Sequence, residues 1–368
     1  MKVPFVDLQK EQKTLKKSIE KAMNKVIKKG NFILGEEVSA FEKSFAKYLG
    51  VKYVIGVASG TDALVLSLKA LEIGLGDEVI VPSLTFIATA LAVSITGATP
   101  VFVDVEKETH VIDPEKIEKK ITKKTKAIIP VHLYGNPANL NKIMAIAKKY
   151  KLFVIEDAAQ AHGAIYKGKK AGTYGDLSCF SFYPTKNLGA YGDAGAVATN
   201  SSVFAAKIGL LRNYGQKKKY YSKVFGYNSR LDELQSAVLS LKLSYLDEWN
   251  NKRRLIAKRY KQKLEKLVQI PKETEYAQSV FHLFPILVEK RDLLIRELGK
   301  KGIVALIHYP IPLHLQKTYS SLKYKSGDFP ISEEISKKTL SLPIHPFMEE
   351  RDVDYVVKNI TKILKNKN

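Results

Sequence analysis

The chain has 368 residues, 45% of them hydrophobic, and 60 Lys and Arg against 37 Asp and Glu give a net charge of +23. That length suits roughly two domains with a large core, and no apolar run reaches the roughly 18 residues of a membrane span. The start, Met1 to Asp7, lacks the apolar stretch of a signal peptide, and the single cysteine, Cys179, excludes an intrachain disulfide or a cysteine-built zinc site, so the expected setting is a reducing cytoplasm.

Residues 11–29 place Leu15, Ile19, Ala22, Met23 and Val26 at helical spacing, with Gly30 as a C-cap. After a loop at 31–35, a second helix carries Val38, Phe41, Phe45 and Leu49 on one face. Strands and helices then alternate. Strands are predicted at 53–58, 78–82, 100–105, 127–133 and 152–156. The helices between them start at Ser59-Gly60-Thr61-Asp62 and cover 85–96, 114–121 and 139–150. This rhythm predicts an α/β fold, a mainly parallel sheet sandwiched by helices, with ligands beyond the carboxyl ends of the strands. From 229 to 268 the pattern becomes long helices. After Pro271 it predicts a strand at 280–288, a helix at 290–300, a strand at 303–307, a Pro/His-rich loop at 308–316 and two closing helices. The division is a large domain over 1–245 and a smaller C-terminal α+β domain over 246–368.

The positive charge is spread in single lysines and short runs such as Lys217-Lys218-Lys219, mixed with acids, and no nucleic-acid motif accompanies it. No nucleic-acid partner is therefore expected. Such a field favours an anionic small substrate, for example one bearing a diphosphate.

Four features fall where the predicted strands end. Gly60 and Thr61 open a helix whose free N–H groups suit an anion, although Ser59 or Thr61 is also an ordinary cap. Asp157 ends a buried strand, where a carboxylate is costly unless paired; a protonated ring nitrogen would be such a partner, and Gln160 lies three residues on. Phe86 follows the strand at 78–82 and could stack on a flat ring or fill the core. The stretch 177–196 runs as an apolar strand, breaks at Pro184 and brings Ser181 and Lys186 into a tight turn. A lysine desolvated there is a better nucleophile. A phosphate site, a carboxylate, an aromatic face and an isolated lysine are together what pyridoxal phosphate requires.

These residues lie in four motifs: Ala58-Ser59-Gly60-Thr61-Asp62-Ala63-Leu64, Glu156-Asp157-Ala158-Ala159-Gln160-Ala161-His162-Gly163, Ser181-Phe182-Tyr183-Pro184-Thr185-Lys186-Asn187 and Asn228-Ser229-Arg230-Leu231-Asp232. With them the chain resembles the DegT/DnrJ/EryC1/StrS sugar aminotransferases, fold-type I pyridoxal-phosphate enzymes, from Pro4 to Pro346. The resemblance implies that Lys186 carries the cofactor, Asp157 pairs with its ring nitrogen, Gln160 lies near the ring hydroxyl and Phe86 stacks on the ring. It implies that Gly60, Thr61 and Ser181 hold the phosphate. Asn228 would reach the phosphate of a neighbouring subunit, which implies a homodimer with shared sites. Ala194 departs from the family's usual glycine, and a methyl is tolerated there unless the backbone needs φ > 0. Dehydratase relatives replace the lysine with histidine, so Lys186 favours transamination.

The implied substrates are L-glutamate and a nucleotide-linked keto-sugar. The segments 131–135, 228–235 and 242–250 resemble most the enzymes that aminate C3 of dTDP-3-keto-6-deoxyhexoses. The UDP-linked 3-keto-uronic acid and GDP-4-keto-6-deoxymannose branches share much of the pattern. Expected sugar-nucleotide contacts are Tyr183, Arg212, Tyr214, His308 and Tyr309, the last two on a loop that could equally be a rigid turn. A non-catalytic cofactor-binding protein and a nucleic-acid-binding protein stand as remote alternatives.

Overall fold

The computed structural model describes residues 1–365. Seven strands form the central sheet: β1 (Tyr53–Val57), β2 (Glu78–Pro82), β3 (Thr99–Val103), β4 (Thr125–Ile128), β5 (Phe153–Asp157), β6 (Leu177–Ser181) and β7 (Gly195–Thr199). Their order is β1-β7-β6-β5-β4-β2-β3. Six strands are parallel, and β7 runs against both its neighbours, β1 and β6.

Both faces are covered, and the period-2 alternation of strand side chains decides which residue meets which layer. Val79 and Val81 of β2, Ile155 of β5, Leu177 and Cys179 of β6 and Val197 of β7 pack with the helices Gly60–Ala70 and Ala88–Ile95. Their neighbours point the other way. Ile80, Ile128 and Val154 meet the helix Leu140–Tyr150 through Ile143 and Ala147. Val54, Phe180 and Ala198 meet Phe41 and Phe45 of the helix Glu36–Leu49 and Leu239 of the helix Glu233–Leu243.

A second apolar core joins the helices Leu246–Leu264, Arg291–Lys300 and Glu350–Lys365 to a two-stranded antiparallel sheet, Phe284–Leu287 with Thr339–Leu342. Val3 of the N-terminal segment belongs to this core, pairing with Ile303.

Some predicted elements shift. The long helices expected over 229–268 are Glu233–Leu243 and Leu246–Leu264, which start and stop a few residues inside that range. The strand expected over 280–288 keeps only Phe284–Leu287, because Val280 turns to bond Gly135 and Phe281 takes a left-handed φ of 44°. Residues 303–307 make isolated pairings at Ile303 and Leu306, not a strand. The strand β7 and the helix Ser202–Leu211 carry no clear periodic signal, since Gly and Ala dominate one and apolar residues surround the other.

Candidate active site

The strand ends beyond β1, β6 and β7 interlock through missing side chains. Ser59 caps the helix Gly60–Ala70, its Oγ accepting from the Asp62 N–H at 3.1 Å. A Cβ on Gly60 would lie 2.6 Å from that of Ser181, and one on Gly195 would lie 2.3 Å from the Ser59 carbonyl carbon. Only glycine lets these backbones approach so closely. The helix's first N–H groups, which have no intrahelical acceptor, lie at the rim of a cavity beside Thr61 and Ser181. Ser229 braces the turn from behind: its hydroxyl donates to Asp62 Oδ2 at 2.8 Å and accepts from the Ala58 N–H at 3.2 Å.

Asp157 ends β5 on the floor of the same cavity. Its Oδ2 accepts from the Thr89 hydroxyl at 2.8 Å and its Oδ1 from the Ala159 N–H at 3.2 Å. Burial pushes its pKa up, against the pull of those two bonds and of the Lys186 charge. Its neighbour Glu156 points to the opposite face, as alternation requires. There it accepts from His132 Nε2 (2.9 Å) and from the N–H groups of Gly172, Tyr174 and Gly175 (2.7 Å each), which holds its pKa down although burial opposes this.

Lys186 sits in the turn that ends the 177–185 run, its N–H bonded to the Tyr183 carbonyl at 2.8 Å. Gly189 closes the turn, with room for no side chain against the Pro184 carbonyl. The ammonium enters none of the hydrogen bonds or ion pairs among the described residues. Burial pushes its pKa down to about 8, and Asp157 pulls it back up. The next residue, Asn187, is fully engaged: its amide donates to Asn250 Oδ1 (2.8 Å) and the Val280 carbonyl (3.0 Å), and its Oδ1 meets His282 Nδ1 at 3.3 Å.

The cavity has a volume of about 580 Å³. Phe86 is 53% exposed, so its ring lines the cavity instead of filling the core, and it lies 5.8 Å from the ring of Tyr309. Gln160 links two walls: its Oε1 accepts from the Tyr134 N–H (2.7 Å) and its Nε2 donates to the Tyr309 hydroxyl (3.2 Å). His308 stacks on Phe5, and burial lowers its pKa to about 4.

The structure thus brings together Gly60, Thr61, Phe86, Asp157, Gln160, Ser181, Tyr183, Lys186, His308 and Tyr309. It does not bring Arg212, Tyr214 or Asn228 to this cavity. Arg212 is held elsewhere, donating to Glu42 (2.5 Å) and the Gly56 carbonyl (2.7 Å). Tyr214 and Asn228 are exposed on a neighbouring segment, with the Arg230 guanidinium over the Tyr214 ring. Other lining residues fall outside the predicted set, Thr89, Asp193 and His282 among them. Thr89 lies one helical turn beyond Thr85, a spacing that could have placed both on one face. His282 comes from a distant irregular segment with no local signal.

Residues 13–361 match the DegT/DnrJ/EryC1/StrS aminotransferase family. The chain is 52% identical to a dTDP-3-amino-3,6-dideoxy-alpha-D-galactopyranose transaminase of Aneurinibacillus thermoaerophilus, over 98% of this chain and 99% of the relative. It is 44% identical to a UDP-N-acetyl-3-dehydro-alpha-D-glucosamine 3-aminotransferase of Acidithiobacillus ferrooxidans, over 98% of each. Among solved structures, S. venezuelae DesV in complex with a ketimine intermediate superposes with a TM-score of 0.98 at 42% identity, each chain covered completely. The chain belongs to the DegT/DnrJ/EryC1/StrS aminotransferase family and is a pyridoxal-phosphate-dependent sugar aminotransferase.

Proposed function

We propose that this aminotransferase moves an amino group from L-glutamate to C3 of a dTDP-linked 3-keto-6-deoxyhexose, giving a dTDP-3-amino-3,6-dideoxyhexose. The observation that carries the reading is the 52% identity, over nearly both chains, to a transaminase named for such a product.

The residues present fit the cofactor. The side-chain-free approach of Gly60 to Ser181 leaves a cradle that a Cβ would fill, and helix N–H groups there suit a phosphate. When bound, pyridoxal phosphate supplies an electron sink for the carbanion formed at the donor's α-carbon. Gly60, Thr61 and Ser181 would hold its phosphate. The Asp157 carboxylate, braced by Thr89, would hold the proton on the ring nitrogen, and Phe86 would offer its exposed ring as a stacking face. Gln160 would lie toward the ring hydroxyl. Lys186 Nζ, the desolvated amine of the cavity, would hold the cofactor covalently and, once freed by the donor's amine, would serve as the base that carries the α-carbon's proton. Tyr183, His308 and Tyr309 line the side left for the sugar.

The active form we infer is a homodimer. Tyr220, Tyr221 and the fully exposed Phe225 lie on the segment that also bears Tyr214 and Asn228. Ile33, beside exposed Phe32 and Leu34, pairs with Asp232 at its end. Such a patch on a lone chain suits a second copy, whose cavity Asn228 and Tyr214 would reach. We place the reaction in the cytoplasm, where the one cysteine, buried Cys179, stays reduced. No helix among the described residues is long and apolar enough to cross a membrane. We keep the division between a large cofactor domain and a small C-terminal domain near residue 246.

The test converts the purified holoenzyme with glutamate, removes the donor, and adds dTDP-3-keto, UDP-3-keto and GDP-4-keto sugars separately while the visible spectrum is followed. Return of the starting spectrum with the dTDP sugar alone is the expected result. Return with the UDP sugar, which the 44% identical relative favours, would move the nucleotide. Return with the GDP sugar would move the amination to C4.

A further inference from the structure

Ser83, His314 and Glu333 form a buried hydrogen-bonded chain that the chemistry above does not use. Ser83 Oγ lies 2.7 Å from His314 Nδ1, and His314 Nε2 lies 3.1 Å from Glu333 Oε1. The Glu333 carboxylate also accepts from the Gly327 N–H (2.8 Å) and the Ser326 hydroxyl (2.9 Å), so it is an acceptor throughout and requires the proton on Nε2. His314 Nδ1 is then the acceptor of the Ser83 hydroxyl. Ser83 is completely buried, which rules it out as a nucleophile toward a substrate.

Both ends of this chain are rooted in the sheet. Ser83 directly follows β2, its N–H bonded to the Val103 carbonyl at 2.8 Å. Glu333 lies on the helix Pro330–Lys338, whose first turn is held by Asp104, just after β3: its Oδ1 accepts from the Ser332 N–H (2.8 Å) and hydroxyl (2.6 Å). Between these roots His314 closes the loop that carries His308 and Tyr309, with Pro310 and Pro312 stiffening the intervening residues. Three residues beyond Ser83 is Phe86, whose ring packs against that of Tyr309 at the cavity wall, centroids 5.8 Å apart. The buried chain therefore ties together the bases of the two segments whose aromatic rings meet at the cavity wall.

We propose that Ser83, His314 and Glu333 are positioning residues that set the reach of Tyr309 into the cavity and so the fit of the keto-sugar, leaving the amino donor's chemistry untouched. The inference rests on the reading of this wall as the sugar's side.

The test compares Ser83→Ala, Ser83→Thr and His314→Asn holoenzymes in the two half-reactions, with Tyr309→Phe alongside. Ser83→Ala loses one buried hydrogen bond but keeps the Leu313 N–H to Ser83 carbonyl bond at 2.8 Å, so the loop stays attached. The expected result for Ser83→Ala and His314→Asn is a rise of about five-fold in the keto-sugar concentration at half-maximal rate, with the glutamate half-reaction within about two-fold of the parent. Ser83→Thr, which keeps the hydroxyl, restores the parent value. An unchanged sugar half-reaction in Ser83→Ala and His314→Asn, or an equal loss in both half-reactions, overturns the proposal. If Tyr309→Phe also leaves the sugar half-reaction unchanged, the reading of this wall as the sugar's side falls with it.

Discussion

At the residue scale, Lys186 and Asp157 are tuned by the same burial in opposite senses. Burial disfavours the charged form of each, so the lysine's pKa falls and the aspartate's rises, while each charge favours the other. A lysine near 8 offers a useful share of free amine at neutral pH. Capture of pyridoxal phosphate by the cofactor-free protein should therefore accelerate as pH rises through about 8 and level off above it, read from the growth of visible absorbance. Lys186→Ala should lower transamination by about 10³-fold or more, and parent-like turnover would remove the lysine from the mechanism. Thr89→Val strips one of the two hydrogen bonds that keep Asp157 ionised. Its pKa then rises further, so kcat should drop by about ten-fold and the acid limb of the rate profile should move to higher pH. An unshifted acid limb would detach Thr89 from the ionisation of Asp157.

At the element scale, the site is assembled by strand ends, and glycine sets how close they come. Ala194 needs no positive φ and is buried without conflict, so Ala194→Gly should cost under about 1 kcal/mol, from backbone freedom alone. Gly195, its neighbour, is different because a methyl there would strike the Ser59 carbonyl group. Gly195→Ala should cost about 1–3 kcal/mol in denaturant unfolding and weaken cofactor binding, since the pushed turn is the one that presents Gly60. A fully stable, cofactor-replete Gly195→Ala protein would mean that the turn yields freely. Gly60, Thr61, Asp157, Gln160, Ser181 and Lys186 were legible as cavity residues because they cluster at or just beyond the ends of predicted strands, where an α/β sheet opens toward ligand. Residues on β7 were not, because its small side chains are selected by the packing of Gly195 on Ser59, a contact across the fold with no local periodicity. Phe86 illustrates the limit of composition: a phenylalanine by default reads as core, and only the packing of the folded chain turns its ring into the cavity. Arg212 illustrates the converse, a cation that suited a diphosphate until the ion pair with Glu42 engaged it.

For the whole molecule, burial of histidine links stability to pH. His110, His308 and His345 are held down to about 4 and His162 to about 3, burial being the main cause in each. An unfolded chain takes up these protons near 6.5, whereas the folded one resists until 4 or below. Between those values unfolding binds protons, so stability rises with pH from about 4 to about 6.5 and flattens above, each such histidine adding up to about 1.4 kcal/mol per pH unit. The net charge of +23 pushes the same way, because acid adds further positive charge to the compact state. Salt separates the two effects: it screens repulsion among surface lysines but barely touches the cost of protonating a buried imidazole. Urea midpoints measured from pH 4.5 to 8 should therefore keep a rising acid-side slope in high salt. His110→Asn should flatten that slope: the ring has no hydrogen-bond partner for either nitrogen, and asparagine tolerates the left-handed φ of 62° at this position. A slope abolished by salt and indifferent to His110→Asn would assign the acid sensitivity to surface charge, and the buried histidines would then exert no control over stability.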